Sequence, residues 1–140
     1  MFTYIMIFFL AAVLALILTP LALRLAKHFN IMDYPGERRI HTVPIPRLGG
    51  TAIYFAFWLA VFLTIGVNAM VLGIFLGSTI IVLIGLVDDI RGIRPLPKLA
   101  CQIIASIVPL FFGLSVQQIT LPLLGSVELG IIGYVFAIFW

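Results

Sequence analysis

Two adjacent carboxylates end a long apolar run, in the order Gly85-Leu86-Val87-Asp88-Asp89-Ile90-Arg91-Gly92. One acid there reads comfortably as a helix end at a membrane interface. Two acids at a helix C-terminus oppose the macrodipole, which favours cations, so the pair asks for a compensating positive charge. Hard oxygen donors suit Mg2+, commonly held by one or two carboxylates plus substrate phosphates, and Mn2+ accepts the same kind of donor. Asp88 and Asp89 are therefore the candidate metal ligands and catalytic carboxylates. The chemistry they suit is phosphoryl transfer, which asks a protein mainly for positioning and charge neutralisation. Successive helical residues point about 100° apart, so the pair shares one cation only where the helix ends or loosens. Arg91, Arg94 and Lys98 follow. Each can hold phosphate oxygens, and each equally suits a topology signal or a headgroup anchor.

The second polar window runs from Asp33 through Pro35, Glu37, Arg38, Arg39, His41, Pro44, Pro46 and Arg47 to Gly49-Gly50. Three prolines forbid a continuous helix, so this is a loop, ordered by itself or by a ligand. Gly49-Gly50 can open the next helix and let a backbone N–H approach a phosphate. Arg38, Arg39 and Arg47 are potential phosphate contacts, Arg47 foremost because Pro46 limits its freedom. His41 suits a proton shuttle or a donor to a diphosphate, although a lone loop histidine is more often structural. No Walker loop, zinc site or Ser/His/Asp set is present. Cys101 is alone, which excludes an intrachain disulfide.

The elements that must position these residues follow from where charge is missing. The chain has 140 residues, 64% hydrophobic and only 9% charged, far below the ~25% of a soluble domain. A water-soluble globule is excluded. Residues 1–23, 48–87, 99–127 and 129–140 carry no Asp, Glu, Lys or Arg, and every charge except Glu128 lies within 24–47 or 88–98. A helix needs ~20 apolar residues to cross a bilayer, and backbone groups in lipid must be satisfied internally. The first span is expected over 3–23, with Pro20 kinking it or marking its exit. The next apolar stretch suits two spans, 50–65 and 70–87, broken at Gly66-Val67-Asn68. A fourth runs from Pro97 and Lys98 to about 113, bent by Pro109. Alternation on either side of a turn cluster predicts a small surface hairpin over 117–129. A last apolar segment, 131–140, is too short to cross. The expectation is an all-α polytopic membrane helix bundle, one domain over 1–140, with four full spans, an incomplete fifth and a short extracytoplasmic β-hairpin.

All eight Lys and Arg fall in the loops after the first and third spans. By the positive-inside rule those loops, about 24–48 and 88–98, are cytoplasmic and the N-terminus is extracytoplasmic. The net charge of +3 comes from the same loops, which makes nucleic acid a poor partner and anionic headgroups or phosphate-bearing substrates better ones.

Taken together, Asp33-x-Pro35-x-x-Arg38-Arg39-x-His41-x-x-Pro44-x-Pro46-Arg47-x-Gly49-Gly50, Gly85-Leu86-Val87-Asp88-Asp89 and Lys98-x-x-x-Gln102 resemble the polyprenyl-phosphate N-acetylhexosamine-1-phosphate transferases. These are multi-span bacterial membrane enzymes with a relative in eukaryotic N-glycan assembly. The match covers essentially the whole chain, and the joint occurrence of both motifs in their loops is specific. The Pro-x-Pro-Arg-x-Gly-Gly form looks like the branch that uses UDP-N-acetylglucosamine for cell-envelope polysaccharides. The resemblance implies transfer of a sugar 1-phosphate from a UDP-sugar to undecaprenyl phosphate, with Mg2+, releasing UMP at the cytoplasmic face of the inner membrane. It implies that Asp88 and Asp89, without dividing the roles between them, place the metal or deprotonate or orient the acceptor phosphate, and that His41 and Arg47 meet the diphosphate or acceptor phosphate.

Such enzymes are roughly twice this size, with about ten or eleven spans, and their later loops supply a further Asp and a His. The chain is therefore expected to be the N-terminal part of such an enzyme and inactive alone. An intramembrane prenyltransferase wants another Asp shortly after the pair, where Arg91, Gly92 and Ile93 stand. A non-catalytic subunit or a cation or lipid carrier explains the spans but leaves the proline-rich loop unexplained.

Overall fold

The computed structural model describes residues 2–33, 44–121 and 125–139. Among the described residues there are five helices: α1 (Phe2–His28), α2 (Gly49–Thr64), α3 (Ala69–Arg91), α4 (Pro95–Phe111) and α5 (Ile132–Phe139). The chain is not purely helical. Two small antiparallel strand pairs accompany the helices, β1 (Met32–Asp33) with β2 (Ile45–Pro46), and β3 (Gln118–Leu121) with β4 (Gly125–Glu128). The first pair lies in the window expected to be loop, and it joins the two ends of the proline-rich segment.

By length, two of the four expected spans reach across a bilayer on their own. At 1.5 Å per residue, the 27 residues of α1 and the 23 of α3 reach about 40 and 35 Å, enough to cross a ~30 Å hydrocarbon core. The 16 residues of α2 and 17 of α4 reach only about 24–26 Å. Pro20 does not end α1, which continues past Arg24 and Lys27 to His28. The helices keep large apolar side chains outside: Phe8 is 68% exposed, Leu16 76% and Leu63 68%. Water would make such surfaces sites of aggregation, whereas lipid solvates them. The hydroxyls agree with an apolar surrounding. Thr19, Thr64 and Thr79 donate to the carbonyls of Ala15, Ala60 and Phe75 at 2.6–2.8 Å, and Ser78 and Ser106 to those of Phe75 and Ile103, which leaves these donors satisfied within their own helix.

The chain divides into two compact units, Met1–Gly66 with Val82–Ile93, and Val67–Ile81 with Arg94–Trp140. In the first unit α1 and α2 pack side by side. Ala52, Ala56 and Ala60 recur every four residues along one face of α2 and are almost wholly buried, and small side chains let helix backbones approach. α1 closes with its own stop signal. Asn30 adopts φ 56°, Asn30 N–H donates to Lys27 O at 3.3 Å and Ile31 N–H to Ala26 O at 2.8 Å, the Schellman pattern. The turn sends Ile31 and Met32 back onto a cluster of Ala22, Ala26, Leu48 and Ala52, which Leu86 of α3 also joins.

In the second unit the first half of α3 lies against α4 through glycine. A Cβ on Gly77 would stand 2.7 Å from the carbonyl oxygen of Ala105, and one on Gly73 2.6 Å from Phe112 Cβ. Asn68 caps α3, its Oδ1 accepting the Val71 N–H at 2.9 Å, and Pro95 occupies the first position of α4. The β3–β4 register pairs Gln118 with Glu128 and Thr120 with Ser126, so one face of the ribbon is polar. Gln118 and Glu128 line an open cavity of about 420 Å³ with Ser115, Gln117 and Tyr134.

Candidate functional site

The shared cluster fixes which ends of the helices meet in the first unit. The C-terminal part of α1, the start of α2 and the last turns of α3 all touch it. Arg24 and Lys27, Arg47 and Gly49-Gly50, and Asp88, Asp89 and Arg91 therefore gather at one polar end, with apolar helix surface behind them.

The two acids are inside α3, in its last turn, rather than beyond it. Gly92 follows the helix at φ 67° and its N–H donates to Asp88 O at 2.8 Å, which closes the helix by the left-handed C-terminal motif. The next amide, that of Ile93, turns to the Asp88 side chain and donates to Oδ1 at 2.7 Å. Asp88 is half-buried and Asp89 exposed. The helix thus ends within three residues of the pair, the condition under which adjacent acids can converge. Among the described residues there is no group of three or more His, Cys, Asp or Glu placed to hold a metal. A magnesium ion needs no such group where phosphate and water complete its shell, and two hard carboxylates at a polar helix end fit that donor set.

Arg47 joins the two sequence windows. Its Nη1 donates to the main-chain carbonyl oxygen of Asp89, 42 residues away in the chain. The backbone of Arg47 is held from the other side, its N–H donating to Ile31 O at 3.2 Å, directly after the β1–β2 pairing of Met32 with Pro46 and Asp33 with Ile45. Gly49 and Gly50 form the exposed first turn of α2. Leu48, its N-cap, provides no side-chain capping bond, and a Cβ on either glycine would meet nothing within 4 Å. Packing does not require these glycines; what they leave is an unshielded helix N-terminus, a natural anion contact.

Of the other expected site residues, Lys98 stands in the first turn of α4, in the second unit. Arg38, Arg39 and His41 lie outside the described residues. Sequence reasoning did not find the glycine seam of α3, although Gly73-x-x-x-Gly77 is its known signature. It also did not find the Asp88 and Arg47 contacts at the helix end, for which no local signal exists.

Residues 71–140 match the family described as glycosyl transferase family 4. The chain belongs to glycosyl transferase family 4. Curated relatives agree with that placement. It is 34% identical to the decaprenyl-phosphate N-acetylglucosaminephosphotransferase of Mycobacterium leprae (strain TN) over 82% of this chain and 31% of the relative. It is 36% identical to the protein of that name from Mycolicibacterium smegmatis (strain ATCC 700084 / mc(2)155), over 72% of this chain and 27% of the relative. A Bacillus subtilis (strain 168) protein, named a probable undecaprenyl-phosphate N-acetylglucosaminyl 1-phosphate transferase, is 28% identical over 95% of this chain and 38% of the relative. This family member spans about a third of the length of those relatives. No solved structure matches it.

Proposed function

We propose that this family member supplies part of the site of an enzyme that transfers N-acetylglucosamine 1-phosphate from UDP-N-acetylglucosamine to a polyprenyl phosphate, of the undecaprenyl phosphate kind. A phosphate oxygen of the lipid attacks the sugar-bearing phosphorus of the donor, the bond between the two donor phosphates breaks, and UMP leaves. The observation that carries this reading is the gathering of the carboxylate turn, the glycine-opened start of α2 and the basic end of α1 at one polar end of an apolar unit. A lipid acceptor approaches such an end from the bilayer and a nucleotide sugar from water.

In this reading Asp88 and Asp89 would hold Mg2+, which when bound neutralises phosphate oxygens and can be replaced by Mn2+. Arg38, Arg39, His41 and the Gly49 and Gly50 amides bind and orient the phosphates. The polar end faces the cytoplasm of a bacterial inner membrane and the N-terminus the opposite side, as the distribution of Lys and Arg favours. The relatives extend beyond the segment aligned with this chain.

A chimaera tests the proposal: this chain replaces the corresponding segment of the Bacillus subtilis relative, and the product is reconstituted with UDP-N-acetylglucosamine, undecaprenyl phosphate and Mg2+. Release of UMP only when donor and lipid acceptor are both present is expected. A chimaera that inserts into membranes at normal abundance yet releases no UMP contradicts it.

A further inference from the structure

We infer that Arg47 is a positioning residue: its guanidinium caps the C-terminus of α3 and so fixes where the Asp88 and Asp89 carboxylates stand. The sequence suggests a phosphate contact for this side chain. In the structure its Nη1 donates to a main-chain carbonyl; a guanidinium carries further N–H donors, so this bond does not exclude such a contact. The last four carbonyls of a helix have no intrahelical donor. Here the Gly92 N–H serves Asp88 O, and the next carbonyl, Asp89 O, receives Arg47. The amide of Ile93 would in a Schellman ending return to the Asp88 carbonyl; it goes to the Asp88 carboxylate. These bonds converge on one turn, and the one from Arg47 comes from outside it.

The electrostatics favour the same role. The C-terminal end of α3 carries the negative pole of the macrodipole and two acids, and Arg47 brings a permanent positive charge into hydrogen-bond contact with it. The anchor is firm at both ends. Arg47 N–H is bonded to Ile31 O, and the neighbouring Leu48 is buried in the cluster that Leu86 of α3 touches. A planar fork on a held backbone places a carbonyl more sharply than a flexible ammonium does.

The capping stands independently of the transferase reading, while its catalytic consequence rests on it, so the test has two arms. The first uses this chain in lipid nanodiscs and measures amide hydrogen exchange. Arg47→Ala keeps the main-chain bond to Ile31 and removes the guanidinium with its aliphatic stem. Amides 90–93 should exchange at least about tenfold faster, since a hydrogen bond from a charged donor is worth that much or more. Amides 52–60 should be unchanged, and Arg47→Lys should fall between. Exchange at 90–93 at the wild-type rate overturns the inference. Should Arg47→Ala lose protection throughout, Arg47→Gln is read by the same criterion. The second arm uses the active chimaera, where Arg47→Ala should lower kcat at least about tenfold and leave KM for UDP-N-acetylglucosamine within about twofold. A raised KM with unchanged kcat overturns positioning in favour of direct substrate contact. A chimaera silent even with Arg47 intact removes the transferase reading, and the exchange arm then decides the capping alone.

Discussion

Gly77→Ala should loosen the second unit, and the structure sets the size of the effect. The added Cβ would stand 2.7 Å from the Ala105 carbonyl oxygen and 3.2 Å from two carbons of the Pro109 ring. Ordinary carbon–oxygen approaches of this kind are about 3.3–3.6 Å, so the two helices must part by about 0.6 Å or more. The oxygen is main chain and the ring is closed, so neither can swing aside. Pro109 also has no N–H to return to the carbonyl four residues before it, that of Ala105, and Gly77 is what lets α3 lie against that oxygen. Overpacking of this sort costs about 1–3 kcal/mol, or about five- to 150-fold in the unfolding equilibrium. Gly85→Ala is the control: same helix, same change, nothing within 4 Å of the new atom. There the helix gains about 0.5–1 kcal/mol from replacing glycine. Reversible unfolding of both variants in mixed micelles, followed by far-UV circular dichroism, should separate them in opposite directions. Gly77→Ala within about 0.5 kcal/mol of the parent, or Gly85→Ala equally harmful, would refute the argument that close helix contact holds this unit.

Substitutions at two further positions probe the local geometry. A Cβ on Gly133 would fall 2.0 Å from the Val116 carbonyl oxygen, so Gly133→Ala should displace the first turn of α5 and abolish slow exchange at its amides, while leaving the α1–α2 seam untouched. Asn30 holds a left-handed φ of 56°, so Asn30→Gly should leave stability within about 0.5 kcal/mol and Asn30→Val should lower it by about 1–2 kcal/mol, both read in the same micelle titration.

Much of the helix plan is legible in the sequence because lipid leaves few choices. Runs without charge mark the helices, and the break at Gly66-Val67-Asn68 falls where α2 stops at Thr64 and α3 starts at Ala69. Asn68 is also a cap, a role its side chain announces. The alternation beside Pro122 and Gly125 corresponds to the paired strands β3 and β4. Helix ends are less legible. Charge marks where hydrocarbon stops, but a helix continues into the interface, as α1 does to His28 and α3 to Arg91. The strands β1 and β2 are two residues each, too short for periodicity to register. As for the site, residue types and motif spacing single out Asp88, Asp89 and Arg47, whereas the bond between Arg47 and the Asp89 backbone depends on the packing of Leu48 and Leu86 on α1. Tertiary contact decides it, and no local pattern records it.

The central claim is that the Asp88–Asp89 turn is where the transfer takes place. Its most direct measurement is UMP release by the chimaera carrying Asp88→Asn or Asp89→Asn. Each amide is nearly isosteric with the acid and still accepts a hydrogen bond, so Ile93 keeps its partner in Asp88→Asn and the fold is spared. Loss of about a hundredfold or more in rate, at unchanged abundance and unchanged exchange in α1 and α2, is the predicted result. Full transfer by both variants would contradict the account.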